Sequence, residues 1–170
     1  MKLKKLVLSA MFLAVGIILP FFTSQIKEIG DTLLPMHLPV MLCGLVCGPW
    51  WGLAVGFITP VFRSVLFGMP PLYPNAIWMA FELATYGGVI GLLYFHREKS
   101  SIGYLYFCLI SAMIAGRIVW GIAKTLLLGL ANKPFTFQMF IAGGITDAIP
   151  GIALQLILIP VIMGIIKKIK

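Results

Sequence analysis

The chain of 170 residues is 61% hydrophobic and 11% charged, with a mean hydropathy of +1.05, which excludes an ordinary soluble domain and fits a polytopic membrane protein. Its net charge of +8 could suit nucleic acid, but most of the excess lies in short flanking segments, where it orients membrane helices, so no nucleic-acid partner is expected. Cys43, Cys47 and Cys108 sit in apolar context with no second Cys or His pair to complete a metal set, and they read as buried thiols with no metal and no cofactor.

A single all-α domain over 1–170, a bundle of six transmembrane helices, is the expected fold. The first span covers 6–22, after a start at Lys2, Lys4 and Lys5 whose long side chains snorkel to the interface. That start resembles a signal peptide; because further spans follow and no small-x-small cleavage site is evident, it reads as a retained helix. The polar stretch 23–35, with Lys27, Glu28, Gly30 and Asp31, is expected to be an ordered loop. The second span, 37–47, is short for a full crossing. Gly48-Pro-Trp-Trp-Gly52 reads as a tight turn with tryptophans at interfacial depth, and the third span follows over 53–67, kinked at Pro60.

Pro70, Pro71 and Pro74 then stop any helix across 68–75. The fourth span is 76–95 and the fifth 103–130, long enough to tilt. After a break at 132–136 the sixth runs over 138–166, bent at Pro150 and Pro160. With the N-terminus inside, the inner segments carry Lys2, Lys4, Lys5, Arg97, Lys99, Lys167, Lys168 and Lys170, and the outer loops only Lys27 and Lys133. This positive-inside bias places both termini in the cytoplasm and requires an even number of spans.

Charges within spans are expensive and mark pathways or binding sites. In this topology they collect in the outer half. Arg63 lies near the outer end of the third span. The fourth carries a stripe of Asn75, Trp78 or Met79, Glu82 and Tyr86, and the fifth one of Arg117, Trp120 and Lys124. On the sixth, Asp147, Gly151 and Gln155 share a face. Such stripes suit a pocket that stacks a small ring or clamps a small polar molecule. The plainer alternative is interhelical ion pairing, of Glu82 with Arg63 or Arg117 and of Asp147 with Lys124. Three cations against two carboxylates leave one positive charge, which a carboxylate-bearing ligand would balance. His37 reads as an interfacial residue rather than a ligand contact. Ala10 and Ala14, with Gly16 nearby, form a small-residue pattern that lets another helix approach closely. No P-loop, HExxH or Gly-x-Ser-x-Gly is present, so the chain is not expected to be an enzyme.

Several stretches together resemble the substrate-binding S component of energy-coupling factor (ECF) vitamin transporters. They are Ala10-x-x-x-Ala14 after a Lys-rich start, Leu38-Pro-Val-Met-Leu-Cys-Gly-Leu-Val-Cys-Gly-Pro49, Trp50-Trp-Gly-Leu-Ala-Val-Gly56, Gly68-Met-Pro-Pro71 and Met79-Ala-Phe-Glu-Leu-Ala-Thr-Tyr-Gly87. The resemblance implies a small-molecule vitamin bound from outside the cell, in a pocket built from the first outer loop, the loop between spans three and four, and spans four to six. It implies further that Ala10 and Ala14 dock onto a membrane scaffold T component driven by two cytoplasmic ATPase subunits, in a prokaryotic plasma membrane. Pantothenate is the leading substrate expectation, with pyridoxine, riboflavin, cobalamin or a queuosine precursor behind it. A self-sufficient oligomeric carrier or channel, and a ligand-free membrane scaffold, are the competing readings.

Overall fold

The computed structural model describes residues 2–23, 34–95, 97, 101–130 and 134–169; Lys27, Glu28, Gly30, Asp31, Lys99, Lys133 and Lys170 lie outside them. The elements in order are α1 (Lys2–Thr23), α2 (His37–Cys47), α3 (Pro49–Phe67), a π-helical turn (Leu72–Ala76), α4 (Ile77–Tyr94), α5 (Ile102–Leu130), the short α6 (Phe137–Ile141), a second π turn (Ala142–Thr146) and α7 (Ile149–Ile169). There is no strand among the described residues. Five segments are long and apolar enough to cross a membrane: α1, α3, the first π turn with α4, α5, and the run from α6 through α7. The eleven residues of α2 extend only about 16 Å at 1.5 Å per residue, roughly half a hydrocarbon core.

Three boundaries differ from expectation for identifiable reasons. The helix α1 begins at Lys2, because lysine is a good helix former and needs no apolar neighbour to stay in the helix. The expected turn at 48–52 shrinks to Gly48 alone, at φ 106°; Pro49 takes the first position of α3, where its missing N–H is not needed. The expected continuous sixth span is interrupted. Gly143 and Gly144 weaken the helix, and the Asp147 N–H donates back to the Ala142 carbonyl at 2.9 Å before α7 begins. Pro150 then falls in the first turn of α7, where proline needs no bend, and Pro160 lies inside the helix. The segment 68–75 is likewise not free of helix, since Leu72–Ala76 forms its π turn around a non-helical Tyr73.

Glycine sets the spacing of the central helices. A Cβ on Gly52 would stand 2.7 Å from the Gly44 Cα, and one on Gly91 2.6 Å from the Pro49 Cα, so α2, α3 and α4 approach backbone to backbone. Against them packs a core that includes Met41, Leu45, Tyr86, Ile90, Leu109, Met113 and Ile159. With the short α2 included, the helices α1, α2, α3, α4, α5 and α7 alternate in direction. At the proximal end, Lys5 lies 4.2 Å from the Phe95 ring centre and the Tyr104 hydroxyl donates to the Leu93 carbonyl at 2.8 Å. The distal end gathers the C-termini of α1, α3 and α5 with the N-termini of α2, α4 and α7. Large apolar side chains such as Met11, Phe62, Leu92, Ile114 and Ile157 are exposed around the bundle, the surface expected of a protein solvated by lipid.

Candidate binding chamber at the distal end

A polar layer crosses the bundle one helical turn distal to the apolar core. His37 precedes Met41 by four residues on α2, Glu82 precedes Tyr86 on α4 and Gln155 precedes Ile159 on α7. On α5, which runs the other way, Arg117 follows Met113 by four. Met41, Tyr86, Met113 and Ile159 belong to one core, so side chains four residues further along each helix sit above it on the same faces. Burial agrees, with His37 and Gln155 at 1% exposure and Glu82 at 2%. Within the layer Glu82 is the hub. Its Oε1 lies 3.0 Å from the Arg117 Nη1 and 3.4 Å from the His37 Nε2. The guanidinium meets the carboxylate as a charge contact, off the line an N–H···O bond prefers, and among the described residues the Arg117 Nε and Nη2 have no hydrogen-bond partner. The His37 Nδ1 and the Gln155 Nε2 are in the same position. Beneath, the Tyr86 ring meets His37 edge to face at 4.9 Å and rests on Gly116, which has no side chain to displace it.

Distal to this layer, Lys124 stands among aromatic rings. Its Nζ is 4.5 Å from the Trp120 ring centre and 5.2 Å from those of both Trp78 and Phe135. Trp120 is held in turn by Phe135 and Phe140, each with ring centres 5.9 Å away, and by Gly143 and Gly144 of the second π turn. Glycine there lets the indole lie against backbone. Cation–π attraction holds the ammonium without neutralising it. Glu82 and Asp147 both act on Lys124 through space, yet among the described residues no carboxylate comes within 4.0 Å of it.

Of the residues expected to meet at a site, the structure brings Trp78, Glu82, Tyr86, Arg117, Trp120 and Lys124 together, and puts Gln155 in the same layer by register. Asn75 is half-buried in the first π turn, next to the distal end of α4. Arg63 stands elsewhere: its Nη1 donates to the Ile17 carbonyl at 2.6 Å and its guanidinium lies over Phe21 at 4.6 Å, so it joins α3 to α1. Of the two partners considered for Glu82, Arg117 is the one in contact. Asp147 is exposed in the turn at 147–148, outside the α7 helix that carries Gln155, so the two do not share a helical face. His37, Phe135 and Phe140 were not expected. The signal for His37 was available in its four-residue offset from Met41; for the two phenylalanines only the aromatic density of 135–140 pointed that way.

Two surfaces flank the chamber. A groove of about 510 Å³ runs along α5 past Ile118, Ile122 and Leu126 to Phe137, and shares Phe135 and Phe140 with the aromatic cluster. On α1, Ala10 and Ala14 are exposed beside Val7, Met11 and Ile18, whereas Gly16 turns inward against Thr59 and Pro39. The expected three-residue small pattern therefore divides: the alanines face outward and the glycine serves internal packing.

Comparison with known proteins gives one match. A family described as ECF transporter, substrate-specific component, matches residues 4–163. No curated protein and no solved structure matches the chain. The family match covers nearly the whole sequence, and its members are substrate-binding subunits of membrane transporters that associate with a T component and ATPase subunits. With its apolar helices and buried polar layer, the chain thus belongs to the ECF transporter substrate-specific components, a membrane protein that binds a small substrate and is not an enzyme.

Proposed function

We propose that this chain captures a small, carboxylate-bearing, water-soluble vitamin from outside a prokaryotic cell and delivers it across the plasma membrane within an ECF complex. In this reading six helices cross the bilayer with both termini in the cytoplasm, and the distal end faces outward. The observation that carries the reading is the charge balance of the chamber. Glu82 is already engaged by Arg117 at 3.0 Å, and Lys124, enclosed by rings, has no carboxylate within 4.0 Å among the described residues. An anion entering there meets a half-buried cation, and the rings of Trp78 and Trp120 cover the rest of a small molecule.

Pantothenate, which joins a carboxylate to an uncharged body, is the first candidate. Pyridoxine, riboflavin, cobalamin and a queuosine precursor follow on the strength of the aromatic walls. Two cytoplasmic ATPase subunits supply the energy through the T component, which docks on the exposed Ala10–Ala14 face. Mass spectrometry of the small molecule that copurifies with gently extracted protein, followed by calorimetric binding of that vitamin, tests the assignment. Recovery of an anionic vitamin whose affinity falls about ten- to a hundredfold in Lys124→Ala is the expected result, the equivalent of about 1–3 kcal/mol. A cationic substrate, or affinity untouched by Lys124→Ala, would refute it.

A further inference from the structure

The distal end of the bundle has two chemically different parts, the buried polar layer and the ring cluster around Lys124, and the difference bears on how a substrate would lie across them. In the polar layer the Glu82 carboxylate and the Arg117 guanidinium offset each other, so the floor as a whole offers little net charge while still presenting hydrogen-bonding groups. Among the described residues, five nitrogens there have no hydrogen-bond partner: Nδ1 and Nε2 of His37, Nε2 of Gln155, and Nε and Nη2 of Arg117. The side chains of His37 and Gln155 are almost wholly buried, and every helix that contributes to the layer also contributes to the apolar core directly beneath it. Polar groups placed this deep are costly to leave unsatisfied. A second carboxylate brought to the floor would face Glu82 at close range, where low dielectric magnifies repulsion. A neutral amide, carbonyl or hydroxyl meets no such penalty and can accept from Gln155 and Arg117.

We infer that the floor formed by His37, Arg117 and Gln155 is a subsite for the neutral, hydrogen-bonding end of the substrate, which therefore binds with its carboxylate outermost at Lys124. The inference rests on the anionic substrate class proposed above and adds its orientation and a requirement for an uncharged polar group at the far end. His37, through its contact with Glu82 and its ring packing on Tyr86, becomes part of the recognition surface rather than an interfacial residue. Simple alkyl carboxylates satisfy Lys124 but leave the floor unpaired, and are rejected for that reason.

Two measurements on the full chain in lipid nanodiscs test this. The first is the thermal midpoint without added vitamin. Gln155→Leu removes an amide that lacks a partner for its nitrogen and replaces it by a side chain of similar volume, so the midpoint should rise by about 2–4 °C. A fall of that size would mean that the amide holds the bundle together, and would overturn the subsite. The second uses pantothenate and its uncharged alcohol counterpart, pantothenol, as probes. Gln155→Leu should weaken both by a similar factor, about tenfold for one neutral hydrogen bond, whereas Lys124→Ala should weaken pantothenate about tenfold more than pantothenol. The reverse pattern, with Gln155→Leu selective for the acid, would place the carboxylate on the floor and sink the orientation. If the unaltered protein binds neither probe, pantothenate is withdrawn as the candidate vitamin, and the midpoint of Gln155→Leu alone decides whether the floor is a subsite.

Discussion

At the scale of single residues, the arrangement turns on one carboxylate. Glu82 is buried among apolar helices and is tolerable there because Arg117 lies 3.0 Å away. Removing it as Glu82→Ala leaves a guanidinium at depth without its counter-charge and should cost about 3–5 kcal/mol of stability. The double variant Glu82→Leu with Arg117→Met removes both charges and should recover most of that loss. Unfolding titrations of Glu82→Leu, Arg117→Met and the double, read as a thermodynamic cycle, check the prediction; losses that simply add would show that the two residues do not stabilise each other. The sequence allowed Glu82 to pair with either Arg63 or Arg117, because helical periodicity gives the face of a residue and not its neighbour across the bundle. What decided the matter was α1: the carbonyl of Ile17 is within reach of Arg63 and holds it at the joint with α3.

At the scale of elements, small residues decide which helices touch. Gly87 of α4 lies against Gly52 of α3, so a methyl group there would press on the Gly52 backbone. Gly87→Ala should therefore destabilise the bundle by about 1–3 kcal/mol, the usual range for overpacking. Gly129→Ala, where nothing stands within 4 Å of the added carbon, should leave stability unchanged or raise it by up to about 1 kcal/mol through helix propensity. Melting curves of the two variants side by side make the comparison, and equal shifts would show that backbone proximity is not what Gly87 provides. Hydropathy made α1, α3, α4 and α5 legible from sequence, because a lipid-facing helix needs an apolar run of membrane length. It could not reveal the break at 142–148. Gly143, Gly144 and Asp147 interrupt the helix without interrupting the apolar run around them, and the break is what allows Trp120 to lie against glycine backbone. The outward turn of Ala10 and Ala14 could be suspected from their spacing, whereas the inward turn of Gly16 depends on Pro39 and Thr59, which are distant in sequence.

At the scale of the whole molecule, the candidate site ends on an apolar core on its proximal side. Below the polar layer come Met41, Tyr86, Met113 and Ile159, and below those Leu45, Ile90 and Leu109, all buried, so these residues leave a polar substrate no hydrated route between them. That packing argues against an open channel, and in the proposed mechanism the bound molecule is carried by movement of the protein against a partner. The partner surface in the proposed mechanism is α1, where alanines at positions 10 and 14 let a second helix approach with little side chain in the way. The chain reconstituted alone into liposomes should bind pantothenate and move none across the membrane. Addition of the T component, both ATPase subunits and ATP should start uptake. Ala14→Trp should abolish that uptake and leave the affinity of the isolated chain within about twofold, because the bulky ring obstructs docking on a face remote from the chamber. Radiolabelled uptake and equilibrium binding on the same preparations separate the two effects. Flux from the chain alone would restore the carrier reading, and a parallel loss of binding in Ala14→Trp would remove α1 from the docking surface.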